Sequence, residues 1–175
     1  MDTITTPLSV RLPAAVCLAF AVTLFGMAPL ATAQQAADPV KIALVAKKII
    51  VTENGETAEP ATTSKPGDLL QYEAIYRNTS PGAVGQLLAT VPVPERLALV
   101  AASATPAGAL ASTDGQHFAP MPLMRAVRQA DGTVVQQPVP LSEYRALRWT
   151  ISELAAGERA TVRLRAQVLS NAPTK

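Results

Sequence analysis

Between residues 159 and 169 the chain alternates strictly, with Ala160, Val162, Leu164, Ala166 and Val168 on one parity and Arg159, Thr161, Arg163, Arg165 and Gln167 on the other. A period of two belongs to a strand with one face buried and one in water, and no helix can use it. The same alternation runs through residues 68–78, where Leu70, Tyr72, Ala74 and Tyr76 oppose Gln71, Glu73 and Arg77. It returns in residues 144–151, where Leu147, Trp149 and Ile151 share a side. Beyond residue 33 no stretch carries a sustained helical stripe. Strands separated by Gly and Pro turns therefore predict an all-β domain over residues 40–169. The expected form is an immunoglobulin-like antiparallel β-sandwich, with a closed barrel as the alternative.

In Val40–Thr52, Val40, Ile42, Leu44 and Ala46 point one way while Ile49 and Val51 have the opposite parity. This predicts a long first strand whose face switches near Lys47 and Lys48, at a bulge or where an edge strand crosses between sheets. Asn54-Gly55 is a turn signal, and residues 56–67 are too poor in apolar side chains for core, which predicts a loop. Residues 86–93 read as a strand that Pro92 and Pro94 confine to an edge or corner. Residues 97–104 read as a further strand, and residues 105–122 show no clear register. Residues 123–137 form a hairpin about Asp131-Gly132, a pair that suits a tight primed turn.

The N-terminus reads as a targeting segment. A polar start holding Arg11 is followed by an apolar run over residues 12–30 and by Ala31-Thr32-Ala33, the small-residue pattern of signal peptidase cleavage. The expected organisation is a signal peptide over 1–33, a flexible leader over 34–39, the sandwich over 40–169 and a tail over 170–175. The run is close to the length of a membrane span, so a retained anchor is the competing reading. Cleavage leaves no span and predicts export to the periplasm or cell surface. The sole cysteine, Cys17, lies inside that run, so the mature chain has neither a disulfide nor a thiolate metal site. Arg11 and Asp2 leave together, so the net charge stays at +2. With few aromatics and no clustered basic motif, a nucleic-acid partner is not expected.

Three landmarks resemble a known bacterial module. Lys65-Pro66-Gly67-Asp68 opens the strand that ends at Asn78. Val91-Pro92-Val93-Pro94 follows. Leu147-Arg148-Trp149-Thr150-Ile151 then leads to Leu154-Ala155-Ala156-Gly157-Glu158. Together, over residues 40–168, they are similar to the conserved-repeat domain of unknown function number eleven, found in bacterial envelope and surface proteins. The chain departs from that family's pattern at Thr79-Ser80-Pro81-Gly82, in lacking an Asp ahead of Val91-Pro92, and in a longer insertion over residues 109–140. The resemblance implies an immunoglobulin-like sandwich, export and often surface display. It implies no catalytic activity and assigns no site residue.

Candidate chemistry is sparse. The single histidine, His117, lies near Asp114 with Ser112 and Ser103 in the same region, but no nucleophile elbow accompanies them. One histidine without cysteine offers no transition-metal set, and neither Asp-Gly pair has the spaced acids of a calcium loop. No catalytic residue, metal or cofactor is expected. Trp149, Tyr72 and Tyr76 have the parity of core rather than of a glycan platform. Asn78-Thr79-Ser80 reads as a turn more than a glycosylation site. The most specific surface feature is a ridge of Arg159, Arg163 and Arg165, extended by Arg145 or Arg148 should their strands pair, which either keeps the sheet soluble or meets an acidic partner. These readings predict a non-enzymatic structural or interaction module of the envelope that binds another protein, by strand addition for example. The alternative is a polysaccharide-binding domain using the Arg ridge on an anionic glycan; a small hydrolase built on the insertion is the third. A structure with that ridge scattered or salt-bridged would count against the second.

Overall fold

The computed structural model describes residues 38–53 and 55–170. The expected signal peptide, residues 34–37 of the leader, Asn54 and residues 171–175 of the tail lie outside them. The described chain holds eleven strands: β1 (Val40–Thr52), β2 (Gly55–Pro60), β3 (Leu69–Asn78), β4 (Val84–Pro92), β5 (Leu97–Leu99), β6 (Leu110–Ser112), β7 (Ala119–Pro120), β8 (Met124–Arg128), β9 (Val134–Pro138), β10 (Ala146–Leu154) and β11 (Arg159–Val168). A 3-10 turn at Leu141–Glu143 is the one helical element among them.

Two antiparallel sheets, β2-β1-β3-β11-β5 and β4-β10-β6-β7, pack face to face, and β8-β9 stands apart as a hairpin. This is the expected all-β sandwich. In its strand order β11 returns to lie beside β3, whereas β10 joins the opposite sheet beside β4. The core is built from the parities the alternation marks. Leu70, Ala74 and Tyr76 of β3 and Val162, Leu164 and Ala166 of β11 meet Ala89 and Val91 of β4 and Leu147 and Trp149 of β10. Tyr76 Oη donates to Thr90 O at 3.1 Å, and Trp149 Nε1 donates to Pro106 O at 2.7 Å, so each buried polar tip finds an acceptor.

Asn78 closes one end of this core. It is fully buried. Its Nδ2 donates to Gly82 O at 2.7 Å and to Leu154 O of β10 at 2.9 Å, and its Oδ1 accepts from the Ser80 amide and hydroxyl. The amide therefore bridges the two sheets, and the side chain at the head of the apparent glycosylation motif is occupied inside the fold.

Three expectations need correction. First, β1 has neither a bulge nor a change of sheet, because its ladder with β3 runs at constant register from Val40↔Asn78 to Ile49↔Leu69. Ile49 is buried but lies outside the main core cluster, on the outer face. The cause is the β1-β2 hairpin: Glu56 binds Arg165 at 2.7 Å although β2 lies three strands from β11, about 14 Å on a flat sheet. The hairpin must arch over that face. Second, residues 55–60 are a strand rather than a loop, and they lack large apolar residues because every position of this edge strand is exposed. Third, the Asp131-Gly132 hairpin closes through residues 129–133, with Gly132 N donating to Gln129 O at 3.0 Å and Gln129 N to Thr133 O at 2.8 Å. Gly132 has φ +86° while Asp131 does not take a positive φ, so the turn is a type I turn with a glycine bulge rather than a primed turn.

Candidate functional site

The first sheet is wider than the second. The core draws on β3, β5 and β11 of the first sheet but on β1 only through Val40, which leaves the rest of β1 at the margin of the opposite layer. Between the half-buried Val40 and Ala46 its core-side parity is consequently uncovered. Ile42, opposite Tyr76, is 63% exposed, and Leu44, opposite Ala74, is 49% exposed.

The backbone of the same segment is open as well. Asn78 N donates to Glu158 O on the β11 side, and Thr79 N donates to Pro39 O on the β1 side. Even positions of β3 thus bond to β11 and odd positions to β1. In the β1-β3 register, Lys41, Ala43 and Val45 bond to β3, while Val40, Ile42 and Leu44 direct N–H and C=O away from it. β2 pairs only with residues 47–52, and Ala61 N reaches Ala46 O at 3.2 Å. Among the described residues nothing pairs with the outward groups of residues 40–45.

The edges at β2, β5 and β7, and most of that at β4, are blunted by the usual devices. β2 carries Glu56, Glu59 and Pro60. β5 has three residues, and β7 has two, ending in Pro120. On β4, Val93 N donates to Arg145 O of the β10 side, so the outward groups fall on even positions. There Gln86 is left-handed at φ 52°, Thr90 O holds the Tyr76 hydroxyl, and Pro92 has no N–H. Residues 40–46 have no proline and no charge on the inward parity. Lys48, which does have that parity, lies in the half covered by β2 and is paired with Asp68 at 2.8 Å. That bond and the Lys65 N–H hold the Asp68 carboxyl below its ordinary range.

The outer face of the first sheet carries the expected arginines. Arg163 Nε donates to Glu73 Oε2 at 3.0 Å, and Lys47 also approaches this carboxylate at 3.8 Å. Arg165 makes a two-pronged contact with Glu56, at 2.7 and 3.0 Å, and donates to Gln71 at 3.1 Å. Arg165 is thereby the reason the Glu56 carboxyl titrates below its ordinary value. Arg159 stands apart at the other end of β11. It lies opposite Arg77, which lies opposite Lys41, so one row across three strands is Lys41-Arg77-Arg159. No carboxylate among the described residues pairs with this row. Arg145 and Arg148 do not extend the ridge. β10 belongs to the other sheet, where Arg148 donates to Thr90 Oγ1 and stacks 3.6 Å from the Phe118 ring centroid.

Lys41 and Arg77 are the residues that sequence reasoning left out of the cationic group. Arg77 was legible as outward-facing, but which cations share a row depends on strand register, and no local pattern carries that. Trp149 and Tyr76 are core, and Tyr72 packs against it half-buried.

His117 and Asp114 form a turn. His117 Nδ1 lies 2.6 Å from Asp114 Oδ2, while Asp114 Oδ1 accepts the Gln116 and His117 amides. The buried Ser112 donates its hydroxyl to Asp114 Oδ1 at 2.8 Å, and the Ser103 hydroxyl donates to Val100 O at 2.7 Å. Both hydroxyls are committed to local structure rather than to the imidazole. The His117 bond to Asp114 raises the imidazole above its ordinary 6.5 and, together with the backbone amides and Ser112, holds the Asp114 carboxyl well below its ordinary 3.8. His117 therefore adds stability that is complete below pH 6.5 and fades as pH rises through its folded value, and Asp114 adds stability that is complete above pH 3.8 and fades as pH falls through its own. An NMR titration of His117 is expected to give a midpoint above 6.5 that returns toward 6.5 in Asp114→Asn; a wild-type midpoint at or below 6.5 contradicts the pairing.

Among the described residues no group of three His, Cys, Asp or Glu side chains could hold a metal ion, and no helix is long and apolar enough to cross a membrane. Comparison with protein-family models, with curated proteins and with solved structures finds no match.

Proposed function

We propose that this chain is a non-enzymatic interaction module of the bacterial cell envelope, exported by its N-terminal segment, which binds another protein by accepting an extended strand at the open edge of β1. One observation carries the reading: over residues 40–45 an unpaired backbone edge coincides with exposed apolar side chains on the core-side face. A strand docked there gains main-chain hydrogen bonds along the edge and apolar contacts at every second residue, which is the chemistry of β-augmentation. The landmarks shared with the bacterial conserved-repeat module support the envelope setting. The local engagement of Ser112 and Ser103 supports a role other than hydrolysis. The anionic-glycan alternative is weaker, because Arg163 and Arg165 already hold carboxylates.

The test is in-cell crosslinking and recovery of the protein from the envelope fraction, in parallel with Leu44→Lys. Leu44 is half exposed, so the substitution is expected to change stability by about 1 kcal/mol, too little to unfold the domain. It also places a charge on the inward parity, a device that natural edges use to repel strands. The expected result is a stoichiometric partner captured by the wild type and lost in Leu44→Lys. Recovery of monomer alone from the wild type, or undiminished capture by the variant, contradicts the reading.

A further inference from the structure

The row Lys41-Arg77-Arg159 lies immediately beside the open edge, with Lys41 on the edge strand itself. Its three cations stand directly opposite one another at about 5 Å strand spacing, an arrangement that costs stability unless a counter-charge is present. Elsewhere on the same face the fold supplies that charge: Glu73 serves Lys47 and Arg163, and Glu56 serves Arg165. At this row it supplies none among the described residues. The three cations instead border a shallow hollow of about 420 Å³ floored by Ile75 and Ala43.

Resting on the strand-addition reading, we infer that the partner segment is an acidic, alternating strand: Asp or Glu at the outward position opposite Lys41, and apolar residues at the inward positions opposite Ile42 and Leu44. Charge and apolar complementarity then fall on opposite faces of one added strand, as the pleat requires. A second copy of this chain does not meet the requirement. Its own β1 edge carries Lys41 and Lys47 and no acid, so pairing edge to edge would join two cationic rows on one continuous face.

The experiment places a photoreactive residue at Ala43 in the full-length chain in cells and sequences the crosslinked peptide. The expected peptide comes from another protein and carries an acid within two residues of the crosslink, flanked by alternating apolar residues. The double variant Arg77→Glu, Arg159→Glu lowers its yield about tenfold or more by turning attraction into repulsion, and Leu44→Lys abolishes it. Loss in Leu44→Lys with no change in the double variant, or a captured peptide without acids, overturns the acidic inference and leaves strand addition standing. Retention in Leu44→Lys overturns strand addition itself. Capture of glycan, or of a peptide from a second copy, overturns the inference as well.

Discussion

Trp149→Ala is expected to lower the unfolding free energy by about 4 kcal/mol, a large fraction of the roughly 5–15 kcal/mol that stabilises a domain of this kind. Trp149 sits mid-strand on β10 beside Ala89 and Leu147, at 4% exposure, where truncation leaves a cavity that close-packed strands cannot fill. It also deprives Pro106 O of its indole partner, releasing the connection between β5 and β6 from the core. Trp149→Phe keeps most of the apolar body and loses the bond, and its cost is expected to be about 1–3 kcal/mol. Urea unfolding of the two variants separates packing from hydrogen bonding. Equal losses would show that the carbonyl at Pro106 sets the cost, and a loss under about 1 kcal/mol for alanine would contradict the core assignment.

Asn78→Ala is expected to cost about 2–4 kcal/mol, because it leaves Gly82 O, Leu154 O and the Ser80 amide without their buried partner. Asn78→Asp preserves shape and sharpens the test. A carboxylate would face two carbonyl oxygens in a buried site, so its proton is held more tightly in the folded state than in the unfolded chain. The loss in Asn78→Asp should consequently be largest at neutral pH and shrink as pH falls through that raised value. Urea unfolding at pH 7 and pH 5 reads this directly. A penalty independent of pH would show that the side chain is not enclosed as described.

The strands whose alternation is complete were the most legible. β3 and β11 each lie between two neighbours with one face on the core, so composition follows burial along them, with Leu69 and Ile75 of β3 as apolar exceptions on the outer face. β1 was harder for a physical reason. Its parity was correctly split, but the split arises because its place at the margin of the opposite layer exposes Ile42 and Leu44 while the arched hairpin buries Ile49 on the other face. A sequence shows apolar residues on both parities and cannot say that the opposite layer stops short. β2 was missed because a fully exposed edge strand has the composition of a loop. The arginine ridge was found as a sequence pattern, yet pairing with Glu73 and Glu56 removed two of its members, and register joined Arg159 to Arg77 and Lys41 instead. The open edge itself could be sensed only as a run free of proline; that nothing lies beside it is a property of topology.

The most direct test of that edge is amide hydrogen exchange, read residue by residue over 40–46, on the protein alone and on the complex recovered by crosslinking. In the protein alone, Ile42 and Leu44 should exchange fast and Ala43 and Val45 slowly, following the direction of their N–H groups. In the complex all four should be slow. Slow exchange at Ile42 and Leu44 before any partner binds, or fast exchange that persists in the complex, would contradict strand addition at β1.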